Sequence, residues 1–452
     1  MTDHTPLSLD LASRLLSAQG LDLQAPTPID TRVQSWQTSA GTQVSFVEAR
    51  GLPMVDLTLR FRAGSVQDTH HSGVAALTLY NLDEGSAGLS ALEHADRLER
   101  LGAVVDKRVR LDYAQLSLRT LSAPGILEPA IALFTDLVAR PDFPAEALKK
   151  VKGQLLAEHA SRRSQAPTRV IGEVYRYLFE GHSYGLPEGS STEGVGATGR
   201  DDLKAFHRMA YAASNLQMVL VGDLPQGQAQ AIAEQLSQAL PQGWRAAQLP
   251  TLPKSRPGKI HIEQGGASNT VALALPVAIS VEAPEYLSLV LACEVLGAGP
   301  QSRLMQVLRQ RHGLTYDVRA KLRPLQGGAL FVVQWDVASD QVEASVVLVR
   351  ETLEAFIRQG PSEAELSHAR QQIAGLLVRN IAQNGRLAEL LAELGHQGLP
   401  DDHLNTYLPR LAAIGPRQVR ELSLSNLDLN RLVRVSVGPS VAQAALAPVP
   451  DQ

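Results

Sequence analysis

Apolar and polar residues alternate along VDLTLRF: Val55, Leu57, Leu59 and Phe61 share one side, and Asp56, Thr58 and Arg60 the other. A period of two predicts a half-buried strand. The segment before it, VQSWQTSAGTQVSFVEA, is strand-like with Gly41 at a turn. The spacing then becomes helical. An apolar helix is expected over 73–82. A second follows in SALEHADRLERLGA, where Ser90 and Glu93 form a capping box and Leu98 and Leu101 lie on the buried stripe. Gly102 supplies the stop. Strands are expected at 103–108 and 113–121. Helices follow at about 125–139, 144–163 and 169–180 and from about Asp201, and the strand LQMVLVGD closes the unit.

Residues 240–258 carry Pro241, Pro250, Pro253 and Pro257, the clearest linker in the chain. Beyond it the order of elements repeats. NTVALALPV corresponds to VDLTLRF, EYLSLVLACEVLG to the apolar helix, helices at about 340–358 and 362–383 to 125–139 and 144–163, and RLVRVSVGP to LQMVLVGD. This order implies a duplicated α+β fold. The expected division is an arm (1–32), a first domain (33–239), the linker (240–258), a second domain (259–440) and a tail (441–452).

Residues 296–318, LGAGPQSRLMQVLRQRHGLTYDV, combine several local signals. Gly297, Gly299 and Pro300 read as a loop. Ser302 suits a helix N-cap, Leu304, Val307 and Leu308 form an apolar stripe, and Gly313 suits a left-handed stop. A strand follows in which Tyr316, Val318, Ala320 and Leu322 share one face. The turn between helix and strand can place the Arg309 guanidinium and the Tyr316 phenol on one side of a cleft. The same pattern also fits a surface arginine and a core tyrosine with one wet end.

Composition narrows the field. With 452 residues, 44% apolar and 19% charged, the chain is long enough for two well-cored domains. A net charge of −4 gives no bulk attraction to nucleic acid or anionic membrane. The single cysteine, Cys293, excludes a disulfide framework and sits in an apolar run, as a buried thiol does. No run reaches the ~20 apolar residues of a membrane span. The N-terminus lacks a signal-peptide pattern. A soluble protein is therefore expected, periplasmic if a signal was removed before this numbering and otherwise cytoplasmic.

The segment SRLMQVLRQRHGLTYDV resembles the arginine/tyrosine segment of pitrilysin-like (insulinase-like) zinc metallopeptidases, and the likeness in element order covers about residues 33–440. The resemblance implies two duplicated domains, each an antiparallel-rich sheet covered by helices, forming half of a clamshell. It also implies that Arg309 and Tyr316 contact the substrate carbonyl beside a zinc held elsewhere, and that the Gly297–Gly299 loop handles substrate. Active members carry a His-x-x-Glu-His motif on the helix after the first strand, with a further glutamate nearly eighty residues on. In this chain those positions are Ala76, Leu79 and Tyr80, and Glu158 stands where the distal ligand falls. Alanine and leucine cannot bind zinc or move a proton, and a phenol with an ordinary pKa of about 10 is a poor ligand. Glu158 also fits a solvated helix glutamate. His182, in GHSYG, resembles a family loop and reads as structural.

The resemblance thus implies a non-catalytic subunit of a heteromeric peptidase. No cofactor is expected in this chain, and zinc is expected in a homologous partner bearing His-x-x-Glu-His. Substrate is a peptide or unfolded polypeptide, bound as an added strand. The alternative is an inert scaffold or peptide-binding member of the same family.

Overall fold

The computed structural model describes residues 29–446 apart from positions 69 and 188. Residues 1–28 of the expected arm (1–32) and 447–452 of the expected tail (441–452) lie outside the described residues.

Two sheets organise the chain. The first contains β1 (Gln34–Gln37), β2 (Gln43–Glu48), β3 (Met54–Phe61), β6 (Val104–Val109), β7 (Ala114–Leu121) and β8 (Leu216–Gly222), in the order β1-β2-β8-β3-β7-β6. A two-stranded ribbon, β4 (Gly85–Ser86) with β5 (Leu89–Ser90), stands apart. The second contains β9 (Gly258–Glu263), β10 (Ser268–Val277), β11 (Val318–Leu325), β12 (Gly328–Ala338) and β13 (Val433–Gly438), in the order β11-β12-β10-β13-β9. The duplication is visible in the pairing. β2 runs parallel to β8, and β9 to β13. The pairs β8–β3, β3–β7 and β7–β6 are antiparallel, and so are β13–β10, β10–β12 and β12–β11. Both sheets thus share one order and one sense, and β6 and β11 are corresponding edge strands.

The helices of the first half are α1 (Val74–Asn81), α2 (Ala91–Arg100), α3 (Pro124–Ala139), α4 (Ala145–Ser164), α5 (Ala166–Leu178), α6 (Thr192–Ala197), α7 (Arg200–Ala210) and α8 (Gln226–Ala239). Those of the second are α9 (Tyr286–Gly297), α10 (Val342–Gln359), α11 (Glu363–Ile381), α12 (Asn384–His396), α13 (His403–Ala412) and α14 (Pro416–Asn426). The expected capping box at Ser90–Glu93 forms, and Gly102 closes that helix at φ +62. One face of each sheet packs on helices of its own half. Leu57 and Leu59 meet Leu77, Leu79 and Phe134, and Leu273 and Leu275 meet Leu291, Val349 and Leu353.

The opposite faces are covered by exchange. Leu387, Leu391 and Ala392 of α12 pack on Val47, Val219 and Val221 of the first sheet. Val170, Val174 and Leu178 of α5 pack on Ala272, Ala274, Val433 and Val435 of the second. This overturns the reading of β3 as half-buried. Asp56, Thr58 and Arg60, its polar side, are buried too. Arg60 is only 2% exposed because α12 lies over it and supplies Glu393, while the Gln115 side chain accepts from its guanidinium at 2.8 and 3.0 Å. A buried charge persists when paired and hydrogen-bonded.

Residues 240–257 form neither helix nor strand. They are nevertheless seated: Leu249 and Leu252 pack on the second sheet's exchanged layer, and the Leu249 amide donates to the Gln326 side chain at 3.3 Å.

Candidate functional site

A cavity of about 860 Å³ opens between the two halves. Ala76 and Tyr80 of α1, Glu158 and Arg162 of α4, Arg323 of β11 and His396 of α12 all reach it. Helix α1 starts at Gly73, whose φ of +104 suits glycine, and an added Cβ there would stand 2.8 Å from Ser190. The Asp68 carboxylate accepts the amides of Gly73 (2.6 Å) and Ala75 (2.8 Å), satisfying two of the helix's free N–H groups. Burial pushes that carboxyl up to about 7 against these two bonds.

The three positions corresponding to His-x-x-Glu-His face different surroundings. Ala76 presents a methyl to the cavity, and Leu79 is wholly buried in the first core. Tyr80 reaches the cavity, and its phenol is raised by burial and then by the Glu158 carboxylate. Glu158 is held in turn by Arg162 on the next turn of α4. A methyl, an isobutyl group in the core and a phenol pushed upward make a donor set that does not fit zinc. Among the described residues no group of three His, Cys, Asp or Glu side chains is placed to hold a metal ion.

The cavity's far wall is a polar pin between the halves that the sequence did not reveal. The Tyr184 hydroxyl donates to Asp112 Oδ1 at 2.7 Å, and the Gln326 side chain donates to the same oxygen at 3.1 Å. The Gln326 backbone N–H donates to the Tyr184 oxygen at 3.0 Å. Burial raises both Asp112 and Tyr184. His182 stacks on Tyr184, consistent with a structural part for that loop. Beside the pin, the His396 ring meets Tyr113 edge-on at 5.5 Å, and Arg60 lies 4.0 Å over the same tyrosine ring. Burial, then Arg60 and Arg62, lowers His396 to about 3. Asp112 and Tyr113 are neighbours and His182 and Tyr184 share the GHSYG loop, but Arg60, Gln326 and His396 come from distant parts of the chain, so no local pattern marked the cluster as a whole.

The arginine/tyrosine segment stands elsewhere; neither Arg309 nor Tyr316 lines the cavity. Met305–Arg311 is a π-helix, an uncommon form often found at functional sites. Gly313 ends it at φ +60, as expected. Ser302 does not cap by its side chain: it is buried, and its hydroxyl donates to the Gly299 carbonyl at 2.9 Å. Tyr316 precedes β11 instead of joining its apolar face, and at 90% exposure it is not a core residue. The Arg309 guanidinium donates to the Tyr316 carbonyl at 3.1 Å, which fixes the two residues together on the surface. Gly297 is not in a loop; it is the buried last residue of α9, and a Cβ there would stand 2.2 Å from the Ala320 nitrogen. Gly299 does lie in the connection, at φ +76. Cys293 is buried, and burial raises its thiol.

The solved structure of a peptidase M16 inactive domain from Pseudomonas fluorescens is 35% identical to this chain. It covers 92% of this chain and 100% of that one, with a TM-score of 0.88. The chain belongs to the M16 peptidase family, among its inactive members. The M16 pattern described as "Peptidase M16 inactive domain" matches residues 198–373. A Helicobacter pylori relative named "Non-peptidase homolog YmxG" is 26% identical over 87% of this chain and 91% of its own length. A solved protease structure from the same organism shares the fold at a TM-score of 0.82 with 17% identity, covering 91% of this chain and 100% of that one. This M16 chain also has, among its described residues, no helix long and apolar enough to cross a membrane.

Proposed function

We propose that this M16 chain is the non-catalytic subunit of a heteromeric zinc metallopeptidase, and that it offers Arg309 and Tyr316 to a zinc site on a homologous partner. The observation that carries this reading is the 90% exposure of Tyr316, with Arg309 bonded to its backbone and both outside the chain's own cavity. An exposed guanidinium and phenol, held in one orientation, suit a surface that completes another subunit's site. Peptide hydrolysis passes through an oxyanion, and each positioned donor to it is worth about 10²–10³ in rate. The chain's own slot at Ala76, Leu79, Tyr80 and Glu158 takes no part in that step. Peptide substrate, a partner bearing His-x-x-Glu-His and zinc in that partner belong to the same proposal.

The test is co-expression with a homologous chain carrying the intact motif, followed by metal analysis and peptide cleavage. The isolated chain is expected to hold no stoichiometric zinc and to cut no peptide, whereas the pair does both. Arg309→Ala and Tyr316→Phe should each slow the pair by about 10²-fold without preventing assembly. Unchanged rates in both variants would move the chain to the scaffold reading, and chelator-sensitive cleavage by the isolated chain would sink the proposal.

A further inference from the structure

A second groove of about 230 Å³ lies on the face of β11 and β12 opposite the α9 layer. Arg319, Lys321 and Arg323 line it, and Arg323 also lines the large cavity, so the two hollows meet at that side chain. These cations stand at alternate positions of one strand and therefore point to one side of the sheet. Like charges at this spacing repel, and Lys321 is lowered by burial and then by Arg319 and Arg323. Local compensation is partial. Asp317 pairs with Arg319 at 2.6 Å, and Asp336, which accepts from the Thr270 hydroxyl, keeps its charge, so three cations face two carboxylates and the groove is net positive. Among the described residues, Lys321 and Arg323 have no ion-pair partner. Inside the cavity Arg62 and Arg110 stand among the carboxylates Asp112, Glu158, Glu282 and Glu393, so the positive strip is confined to β11. β11 is the edge strand of its sheet, and among the described residues no hydrogen bond engages its outer side over 318–323.

We infer that this strip docks an acidic, extended peptide segment along β11, with carboxylates two residues apart meeting Lys321 and Arg323. Side chains of an extended peptide repeat on one face every second residue, the same period as the cations. Pro324 has no N–H to offer, so the docking stretch ends at Arg323. The inference rests on the proposed function only for its ligand class, a peptide.

Binding to the full chain alone tests it, by fluorescence anisotropy with two labelled ten-residue peptides of the same Val/Thr/Ser background. One carries Glu at alternate positions and the other Lys. The Glu peptide is expected to bind at least tenfold more tightly at low salt and to weaken as salt rises. Lys321→Glu should cut its affinity at least fivefold. That side chain is exposed, so the reversal leaves the fold intact, which the melting temperature verifies. Arg323→Gln should act in the same direction, while reversal of the exposed Lys149, outside both hollows, should change nothing. Equal binding of the two peptides, or an equal loss on reversing Lys149, overturns the inference. No partner and no zinc enter this measurement, so its outcome is separable from that of co-assembly.

Discussion

His396 shows how one side chain can tie stability to pH. It lies against Tyr113 with Arg60 and Arg62 close by, and among the described residues its Nδ1 has no hydrogen-bond partner. Burial and the two guanidinium groups lower it from 6.5 to about 3. At this site the folded chain therefore holds fewer protons than the unfolded chain between those values. The contribution of this group is full above pH 6.5 and falls as acid is added through the window, by about 1.4 kcal/mol per pH unit. Asp68, raised to about 7, contributes with the opposite sign over much of this window, so the His396 part is read as the difference between wild type and His396→Gln by chemical denaturation at pH 7.5, 6.0 and 5.0. The variant, neutral throughout, should gain stability relative to the wild type as the pH falls; a difference that stays constant would remove His396 as a source of pH dependence. The residue scale is also where sequence reading succeeds and fails most unevenly. Ala76, Leu79 and Tyr80 can be found because a spaced motif defines their positions. His396, Asp112 and Asp68 cannot, because their partners are distant in sequence or their own surroundings are ordinary.

At the scale of elements, local signals serve well where geometry is set by neighbours in sequence. The capping box at Ser90 and the stop at Gly313 each describe one element and depend on nothing else. They mislead where a second element intrudes. β3 has an alternating sequence yet is buried on both faces, since α12 brings a carboxylate to Arg60. Gly297 reads as part of a loop because Gly-x-Gly-Pro is turn chemistry. Its actual constraint is the backbone of Ala320, which belongs to β11. Gly297→Ala should consequently destabilise by about 1–3 kcal/mol, the cost of overpacking against main chain that cannot move aside. Gly313→Ala meets no atom within 4 Å but keeps φ +60, a cost of about 1–2 kcal/mol from backbone conformation alone. Thermal melts of both variants should show losses, with peptide binding retained. A neutral Gly297→Ala would mean that α9 and β11 can separate at no cost.

At the scale of the molecule, the exchange of α5 and α12 governs how the halves depend on each other. A sheet covered on one side only would expose Val47, Val219 and Val221 in the first half, or Ala272, Val433 and Val435 in the second. Contiguous apolar surface of that kind drives association or aggregation. Residues 240–257 connect the halves covalently, but the energetic connection runs through the exchanged helices and the Asp112–Tyr184–Gln326 pin. Glu393 adds to it, because its loss leaves Arg60 buried without a carboxylate, at a cost of about 3 kcal/mol. Expressed separately, residues 29–239 and 258–446 should each fail to give a cooperative melt. Co-expressed, they should purify together and melt in one transition, and Glu393→Ala should weaken that complex. Two halves that each stay monomeric and melt cooperatively would show that exchange is not what stabilises them. The single transition matters for function, because a rigid pair of halves holds Arg309 and Tyr316 at a fixed distance from the cavity. Any partner that uses those residues must then come to the chain's surface, as the 90% exposure of Tyr316 allows.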